Sequence, residues 1–334
     1  MAKDCTYCGT TVTIPDNGAL IIRAHSELSR RGIPADEGVH IIPYQNRENL
    51  QDILADLLSK GVKEEEWIHL SSGAMAQTFP ITIEHLFARL CQPELESLIH
   101  QGDFEAHLQP ILNMKDSSIF GYEALLRTKG RQVNPGELFD YAARSGLQSM
   151  LDQKARRAAV QAKAEHLQRG QHIFINFLPS TIYVPEFCLK HTFQIVEEFS
   201  IDPADLVFEV VETEKITDVR HLKGILDTYK SSGMRVALDD VGAGYSTIEM
   251  LSLLQPDIVK IDRSYINGCA GDPIKQQFLF EVLQRADKLG IDVLAEGIET
   301  VEEWNWLQSQ GVGYGQGFYI DKPRPVPSKE LILP

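Results

Sequence analysis

Strand-like apolar runs alternate with amphipathic helical runs over the last two-thirds of the chain. A repeated order of strand, helix and strand indicates a parallel sheet. Eight such runs in about 240 residues match a (β/α)8-type TIM barrel. The segment NMKDSSIFG between the first two runs is too short for a parallel crossover. We therefore predict a barrel with an antiparallel first strand, with an open doubly wound sheet as the alternative. The predicted strands lie near 105–115, 120–127, 172–178, 206–212, 235–240, 257–262, 292–298 and 314–320.

Residues 1–90 have a different and more mixed pattern. Strand-like runs occur at 19–24, 40–44 and 67–72, and an amphipathic helix is predicted at 48–61 with Asn46 as its cap. The following segment, 80–103, is helical in pattern and is expected to link the two parts. We predict a small N-terminal α/β region over 1–90, of a regulatory, sensory or dimerisation type, before a barrel domain over 91–334.

The charge balance restricts the possible partners of the chain. Its formal net charge is −15 over 334 residues, which argues against DNA binding, since that function needs a basic surface. An anionic ligand would require local cations. The N-terminus lacks the apolar core of a secretory signal, and no run approaches the roughly 18 apolar residues of a membrane span. Five cysteines, an odd number, do not make a disulfide framework. These features predict a cytoplasmic protein that does not enter the membrane.

Cys5 and Cys8 form a C-x2-C pair followed by glycine, the shape of half a zinc knuckle. No second pair follows. His25 and His40 could complete a zinc site, but their spacing fits no standard pattern. We expect these cysteines to be structural or incidental thiols, with zinc as the alternative.

Residues able to bind metal close most of the predicted barrel strands. The ends of strands form the active-site face of such a barrel, so these side chains are expected to meet. Carboxylates brought together repel one another, and divalent cations remove that conflict. Oxygen ligands without His or Cys favour Mg²⁺ or Mn²⁺ over zinc. Each residue taken singly is more often a helix cap or part of a turn; the agreement of six strands favours a site. The candidates are Glu123, Asn176, Glu209, Asp239, Asp240 and Glu296.

The adjacent pair Asp239 and Asp240 is central to this prediction. Neighbours in a regular strand point to opposite faces, so both can reach one site only where the strand gives way to its loop. One aspartate could then bridge two ions, an arrangement used for displacement at phosphorus. Lys260, inside the strand-like run DIVKID, would be costly in a barrel interior without partners.

Seven motifs, in this order and at these spacings, resemble the EAL-domain phosphodiesterases that hydrolyse cyclic di-GMP. The resemblance covers roughly residues 92–334 and includes the Glu-Ala-Leu signature at 123–125. The motifs are GYEALLR, INFLP, EVVE, LDDVGAGYS, VKIDRSYI, AEGIE and GQGFYIDKP.

The resemblance implies two Mg²⁺ or Mn²⁺ ions, with Ca²⁺ inhibitory. The first ion would be held by Glu123, Asn176, Glu209 and Asp239. The second would be held by Asp239, Asp240 and Glu296. Lys260 would orient the attacking water or stabilise the transition state. The implied catalytic set is Glu123, Asp240, Lys260, Glu296 and Gln316.

The same resemblance implies further contacts around the metals. Glu212 would anchor the loop after Asp240, and Glu299 would support the site from behind. Substrate contacts are implied at Gln109, Leu126, Arg127, Asp262 and Gln316.

The chain departs from the family pattern at two positions of the loop after the aspartate pair. Val241 stands where active members have phenylalanine, and Ala243 stands where they have a hydroxyl residue. Thr128 replaces the usual tryptophan. In the family this loop couples metal binding to dimerisation, so a homodimer is implied while dimer-dependent activation is in question.

The resemblance implies hydrolysis of cyclic di-GMP to linear pGpG. Three alternatives stay open at this point. The barrel could be a non-hydrolysing cyclic di-GMP receptor, a metal-dependent enzyme for another phosphodiester or sugar phosphate, or a scaffold for a protein partner.

Overall fold

The computed structural model describes residues 13–23, 35–36, 38–63, 65–72, 80–130, 132–210, 218–242 and 248–328. Packing divides the chain into two compact units. The first comprises the described residues of 1–103 and 131–151, and the second comprises those of 104–130 and 152–334. The predicted division into modules at residues 90 and 91 stays a prediction. Among the described residues, no helix is both long enough and apolar enough to cross a membrane.

The first unit contains an antiparallel sheet of five strands in the part of the chain that the structure describes, in the order β2-β3-β1-β4-β5. Helix α1, Arg47–Ser59, begins at Asn46, whose side chain accepts a hydrogen bond from the Asn49 N–H as predicted. The buried face of α1 carries leucines that pack with the sheet. The strands are β1 Gly18–Arg23, β2 Ala35–Asp36, β3 Val39–Tyr44, β4 Trp67–Ser71 and β5 Ile81–Thr82.

The continuous helical pattern predicted for 80–103 is wrong in detail. The segment opens with strand β5, and its helical part is broken at Gln92, between α2 (Ile83–Cys91) and α3 (Pro93–Gln101). The break occurs before Pro93, because proline has no N–H and disfavours a helical residue before it. A further helix of this unit is α4, Pro135–Ser145.

The second unit confirms the predicted barrel. Its described strands close in the order β10-β11-β12-β13-β6-β7-β8-β9, which rules out the open sheet. Strand β6 runs antiparallel to β7, as their short connection predicts, and it also runs antiparallel to β13. The other neighbouring pairs are parallel. The strands are β6 Phe104–Asn113, β7 Ile119–Thr128, β8 His172–Phe177, β9 Leu206–Val210, β10 Arg235–Val241, β11 Ile258–Ile261, β12 Asp292–Ala295 and β13 Tyr314–Gly315.

The last two strands are shorter than predicted. Strand β12 ends before Glu296, because Gly297 with φ +67° turns the chain there. The helices between the strands follow the predicted runs, and the α11 helix ends at Gly290 in the left-handed conformation. The helices are α5 Gln148–His166, α6 Pro185–Cys188, α7 Lys190–Glu198, α8 Val219–Ser231, α9 Ile248–Leu254, α10 Arg263–Ile266, α11 Pro273–Leu289 and α12 Val301–Ser309.

The interior of the barrel is filled by an apolar layer. One residue from each of six strands contributes to it, and all six are fully buried. Because side chains on one face of a strand recur every two residues, the next inward position of each strand lies in a second layer toward the strand ends. The apolar layer consists of Ile111, Phe174, Val207, Ala237, Ile258 and Leu294.

Candidate functional site

A polar layer lies directly above the apolar layer. Two residues beyond each apolar residue, along the five parallel strands, comes a polar or charged one. In the antiparallel strand β6 the same step runs backwards, from Ile111 to Gln109. The strands that fill the barrel with apolar groups therefore build a polar floor at its active-site end. The layer consists of Gln109, Asn176, Glu209, Asp239, Lys260 and Glu296.

Lys260 lies at the centre of this layer and is 1% exposed. Its Nζ donates to Glu209 at 2.8 Å and contacts Glu296 at 2.6 Å and Asp239 at 3.1 Å. Glu123, on β7, is 3.9 Å away. A buried ammonium group is therefore surrounded by four carboxylates, three from strands and one from the residue that follows β12.

The charges of this cluster shift one another strongly. Burial alone would lower the pKa of Lys260, but the nearby carboxylates outweigh it and hold that pKa well above its usual value. Burial raises the pKa of Glu209, Asp239 and Glu296, and Lys260 opposes the rise in each case. The neighbouring carboxylates add to the rise, because like charges disfavour ionisation. The cluster holds more negative charge than one lysine balances.

The geometry of β10 brings both Asp239 and Asp240 to the site. The pairing of β10 with β11 shifts register between Leu238 and Val241, and Asp240 has a left-handed φ of +51°. Its N–H donates to the Asp239 carboxylate at 3.0 Å. A bulge of this kind re-aims side chains and often adjoins active sites. Its position at the strand end agrees with the expectation from sequence.

The residues present fit a pair of divalent cations. Carboxylate oxygens of Asp239, Asp240 and Glu296 lie within 4.8 Å of one another, as one ion requires. The Oε1 atom of Glu209 is buried with no hydrogen-bond partner among the described residues, an orphan that a cation would satisfy. Five carboxylates against one ammonium leave four negative charges when all are ionised, and two dications carry four positive ones. The donors are hard oxygens, which suit Mg²⁺ and Mn²⁺.

Two amide side chains complete the wall beside Glu123. The Nε2 of Gln316 donates to Glu123 at 2.6 Å and contacts the Gln109 oxygen at 3.1 Å. Asn176 donates to the other oxygen of Glu123 at 3.2 Å. These bonds hold the Glu123 carboxylate from both sides, and the buried Oε1 of Gln316 has no hydrogen-bond partner among the described residues.

A cavity of about 340 Å³ opens above this layer, within the size range of small-ligand sites. Glu123, Asp240, Glu296, Gln109 and Gln316 line it, so the structure brings these predicted residues together. Asp262 and Glu299 line it too, and Asp262 also caps helix α10.

Other predicted residues lie apart from the cavity or outside the described residues. The half-buried Arg127 donates to the Leu126 carbonyl at 2.8 Å, and neither residue lines the cavity. Glu212, Cys5, Cys8 and His25 fall outside the described residues, so the loop anchor and the zinc alternative stay predictions. His40 is fully buried in β3.

The loop after the aspartate pair begins with two well-packed residues. Val241 is fully buried in the barrel core. Gly242 has φ +108°, and a Cβ there would lie 2.7 Å from Tyr265, whose ring stacks on Phe278 at 3.8 Å. Aromatic contact at the start of this loop is therefore supplied by Tyr265 and Phe278. Ala243 lies outside the described residues.

The cavity has lining residues that the sequence reasoning missed. Arg263, Gly297, Gly317 and Phe318 belong to it. Each is a direct neighbour of a predicted residue or lies two positions from one, and that adjacency was the available signal. Their joint position depends on contacts between separate loops, which no local pattern records.

Comparison with known proteins identifies relatives of the barrel. The model of the EAL domain matches residues 92–323. The probable cyclic di-GMP phosphodiesterase PdeG of Escherichia coli (strain K12) is 34% identical over 251 residues, which are 72% of this chain and 49% of PdeG. The probable cyclic di-GMP phosphodiesterase PdeB of the same strain is 28% identical over 80% of this chain and 52% of its own length. The chain thus spans about half the length of these curated relatives.

Solved structures give the same result for the fold. A standalone versatile EAL protein from Vibrio cholerae O395, in its c-di-GMP bound form, is 35% identical with a TM-score of 0.62. The match covers 68% of this chain and 96% of that chain. The calcium/cy-diGMP complex of BlrP1 from Klebsiella pneumoniae matches 92% of this chain and 96% of its own, with a TM-score of 0.62. Its 21% identity supports a common fold alone.

Proposed function

This chain belongs to the EAL domain family, and from that premise we propose that its barrel hydrolyses cyclic di-GMP to linear pGpG. The observation that carries the proposal is the cluster of four carboxylates around the buried Lys260, joined by the Asp240 carboxylate beside Asp239 and Glu296, beneath an open cavity. Relatives named as cyclic di-GMP phosphodiesterases share this domain, and the V. cholerae neighbour was solved with c-di-GMP bound.

Two Mg²⁺ or Mn²⁺ ions are the proposed cofactors, with Ca²⁺ as an inhibitor. When bound, they would neutralise the phosphodiester and lower the pKa of the attacking water. Glu123, Asn176, Glu209 and Asp239 are the proposed ligands of one ion. Asp239, Asp240 and Glu296 are the proposed ligands of the other, with Asp239 shared.

The protein's own residues supply binding and charge. Lys260 is a fixed cation beneath the cavity, in contact with its lining carboxylates Glu123 and Glu296, where it can stabilise negative charge that develops on the phosphoryl group. Its raised pKa keeps it protonated, so it acts as a positive charge and a hydrogen-bond donor. The Gln316 amide fixes the Glu123 carboxylate in position. Asp262, on the cavity wall, is the proposed polar contact for the rest of the substrate.

A non-hydrolysing receptor is the second candidate. The observation in its favour is the altered loop after the aspartate pair, in which Val241 stands where active members have phenylalanine. The N-terminal unit would then regulate binding. We also propose a homodimer, which light scattering of the purified chain would test.

Incubation of the purified chain with cyclic di-GMP and Mg²⁺ or Mn²⁺, followed by chromatography of pGpG, tests the enzyme proposal. Turnover that EDTA and Glu123→Ala both abolish supports it. Tight binding without turnover would replace it with the receptor. If the chain neither binds nor hydrolyses cyclic di-GMP, both the enzyme proposal and the receptor proposal are contradicted.

A further inference from the structure

The backbone leaves the acidic cluster through two residues in the left-handed conformation. Asp240 has φ +51° and Gly242 has φ +108°, and Val241 between them is fully buried. Glycine adopts this conformation freely, whereas aspartate adopts it at a cost that the surrounding structure must outweigh. Contacts around Val241 and Gly242 therefore decide whether Asp240 keeps its observed direction.

The backbone of Val241 is held on the strand side. After the register shift in β10, Val241 pairs with Ile261 of β11, and its carbonyl accepts a hydrogen bond from the Asp262 N–H at 3.4 Å. These contacts fix the residue that follows Asp240. They leave the direction of the next residue, Gly242, to be set by its own neighbours.

Two aromatic rings pack directly on Gly242. A Cβ at this position would lie 2.7 Å from two ring atoms of Tyr265 and 2.8 Å from the Phe278 Cζ. No side chain fits in that space, so the glycine backbone itself lies against the rings. Val241 carries no ring, and the aromatic contact at this turn comes from a later part of the chain.

The two rings support each other. Tyr265 and Phe278 stack with centroids 3.8 Å apart, and both are half-buried against the barrel core. They belong to α10 and α11, the helices that follow β11. The Tyr265 N–H donates to the Asp262 carbonyl at 3.0 Å. The stack is thus tied to the end of β11, beside the strand that carries Asp240.

We propose that the stack of Tyr265 on Phe278 positions Asp240 for metal binding. By packing on Gly242, the rings fix the backbone after Asp240 and hold its carboxylate beside those of Asp239 and Glu296. The inference rests on the proposed function, in which these three carboxylates hold one ion. Neither ring is among the described residues that line the cavity. The rings therefore act through Asp240, without touching the substrate.

Positioning differs from ordinary core packing in what it changes. Loss of packing lowers the free energy of unfolding whether or not metal is present. Loss of positioning weakens the one ion that needs Asp240 and leaves the other ion nearly unaffected. Affinity for each ion, measured with metal alone, separates the two roles.

Calorimetric titration of the full chain with Mn²⁺ tests the proposal. Tyr265→Leu, which removes the ring but keeps an apolar side chain, should weaken one of two Mn²⁺ ions by about 10- to 100-fold, as loss of groups that orient metal ligands does elsewhere. Phe278→Leu should have the same effect and carries the test if Tyr265→Leu does not fold. Tyr265→Phe keeps the stack and should restore the wild-type Kd.

The matched control is Phe120→Leu. Phe120 stacks on Tyr314 with centroids 3.9 Å apart, where β7 and β13 begin, and it packs on the apolar layer. Its loss should leave both Mn²⁺ affinities unchanged. Urea denaturation without metal measures what each substitution does to folding. Equal Kd shifts in Tyr265→Leu and Phe120→Leu would overturn the proposal, as would a Kd that Tyr265→Phe fails to restore.

The dependence of activity on metal provides a second measurement. In Tyr265→Leu the ligand is misdirected but present, so pGpG formation should need more Mn²⁺ and should recover toward the wild-type rate as Mn²⁺ is raised. A rate that stays low at saturating Mn²⁺, with both Kd values unchanged, would contradict a role through the metal.

The wild type separates this inference from the proposed function. If it binds two Mn²⁺ ions and hydrolyses cyclic di-GMP, unchanged Kd values in Tyr265→Leu and Phe278→Leu overturn the inference alone. If it binds two Mn²⁺ ions without hydrolysis, the enzyme proposal fails and the Kd values of the variants still decide the inference. A wild type that binds no Mn²⁺ overturns both.

Discussion

Two buried lysines, Lys163 and Lys260, lie at opposite ends of the barrel strands. They differ in the number of carboxylates around the ammonium group. Lys163, 3% exposed, donates to the carbonyls of Gln168 and Gln171 at 2.6 Å and pairs with Asp205 at 2.9 Å. Its three protons meet three acceptors and its charge meets one carboxylate. Lys260 meets four carboxylates.

Burial of a lysine does not by itself mark a functional site. The balanced cluster at Lys163 joins residues that enter β8 and β9, and it is complete as it stands. The cluster at Lys260, where strands end, has an excess of negative charge, which favours the binding of cations. The imbalance identifies the functional lysine.

The largest expected effect on folding comes from the balanced cluster. Lys163→Met should lower the free energy of unfolding by about 3–5 kcal/mol, because Asp205 is left buried without its cation. The kcat of the folded fraction should stay near that of the wild type. Urea denaturation followed by circular dichroism measures the loss, and a loss below about 1 kcal/mol would show that Lys163 is not needed for folding.

At Lys260 we expect the main effect of substitution to be a loss of activity. Lys260→Met should reduce kcat for cyclic di-GMP by about 10²–10³-fold, as removal of a charge-stabilising donor does elsewhere. The measurement is pGpG formation at saturating substrate and metal, with Lys163→Met as the control for loss of a buried ammonium. A kcat within tenfold of the wild type would contradict the functional role of Lys260.

Addition of metal should distinguish the two clusters by stability. Mn²⁺ at a fixed concentration, 100 times the wild-type dissociation constant, should stabilise the wild type by about 2.7 kcal/mol for each ion bound. The same increment is expected in Lys163→Met, whose cluster offers no spare charge. In Lys260→Met the increment should be larger, because the carboxylates then lack their only close cation among the described residues. Thermal unfolding with and without Mn²⁺ measures it. A smaller increment in Lys260→Met would mean that the lysine supports the metal site.

The two lysines also differ in whether their burial could be predicted from the sequence. Lys260 could be identified as a candidate site residue because it interrupts an apolar strand-like run, where a charged side chain is costly without partners. Lys163 lies in the helical run QAKAEH, where a lysine is ordinary, and its burial depends on the loop that carries Asp205. The barrel and its antiparallel strand followed from run lengths and one short connection. The polar layer followed from the two-residue period of strands.

The features that could not be predicted depend on contacts between segments that are far apart in the sequence. Arg263 and Phe318 line one cavity only because Gly297 and Gly317 let separate loops touch. The break before Pro93 was readable from proline alone, yet the amphipathic pattern on both sides of it favoured one helix. Arg127 was assigned to substrate by resemblance, and that role stays a prediction; in the structure its guanidinium donates to the neighbouring Leu126 carbonyl.

The smallest expected effect tests the balanced cluster from its backbone side. The Gly170 N–H donates to both Asp205 oxygens, at 3.0 and 3.2 Å, and Gly170 has φ +86° with open space around its Cβ position. Gly170→Ala should therefore cost about 1–2 kcal/mol, the price of a left-handed alanine. Gly311→Ala is the matched control, since Gly311 has φ +82° and equally open surroundings.

Equal losses of unfolding free energy in the two variants would mean that the Asp205 hydrogen bonds survive the substitution. A larger loss in Gly170→Ala would mean that the turn and the ion pair of Lys163 form one cooperative unit. In that case the excess loss over Gly311→Ala should disappear in the Lys163→Met background, because residues in one network do not contribute additively. Persistence of the excess loss in that background would show that Asp205 is held by its backbone donor independently of the lysine.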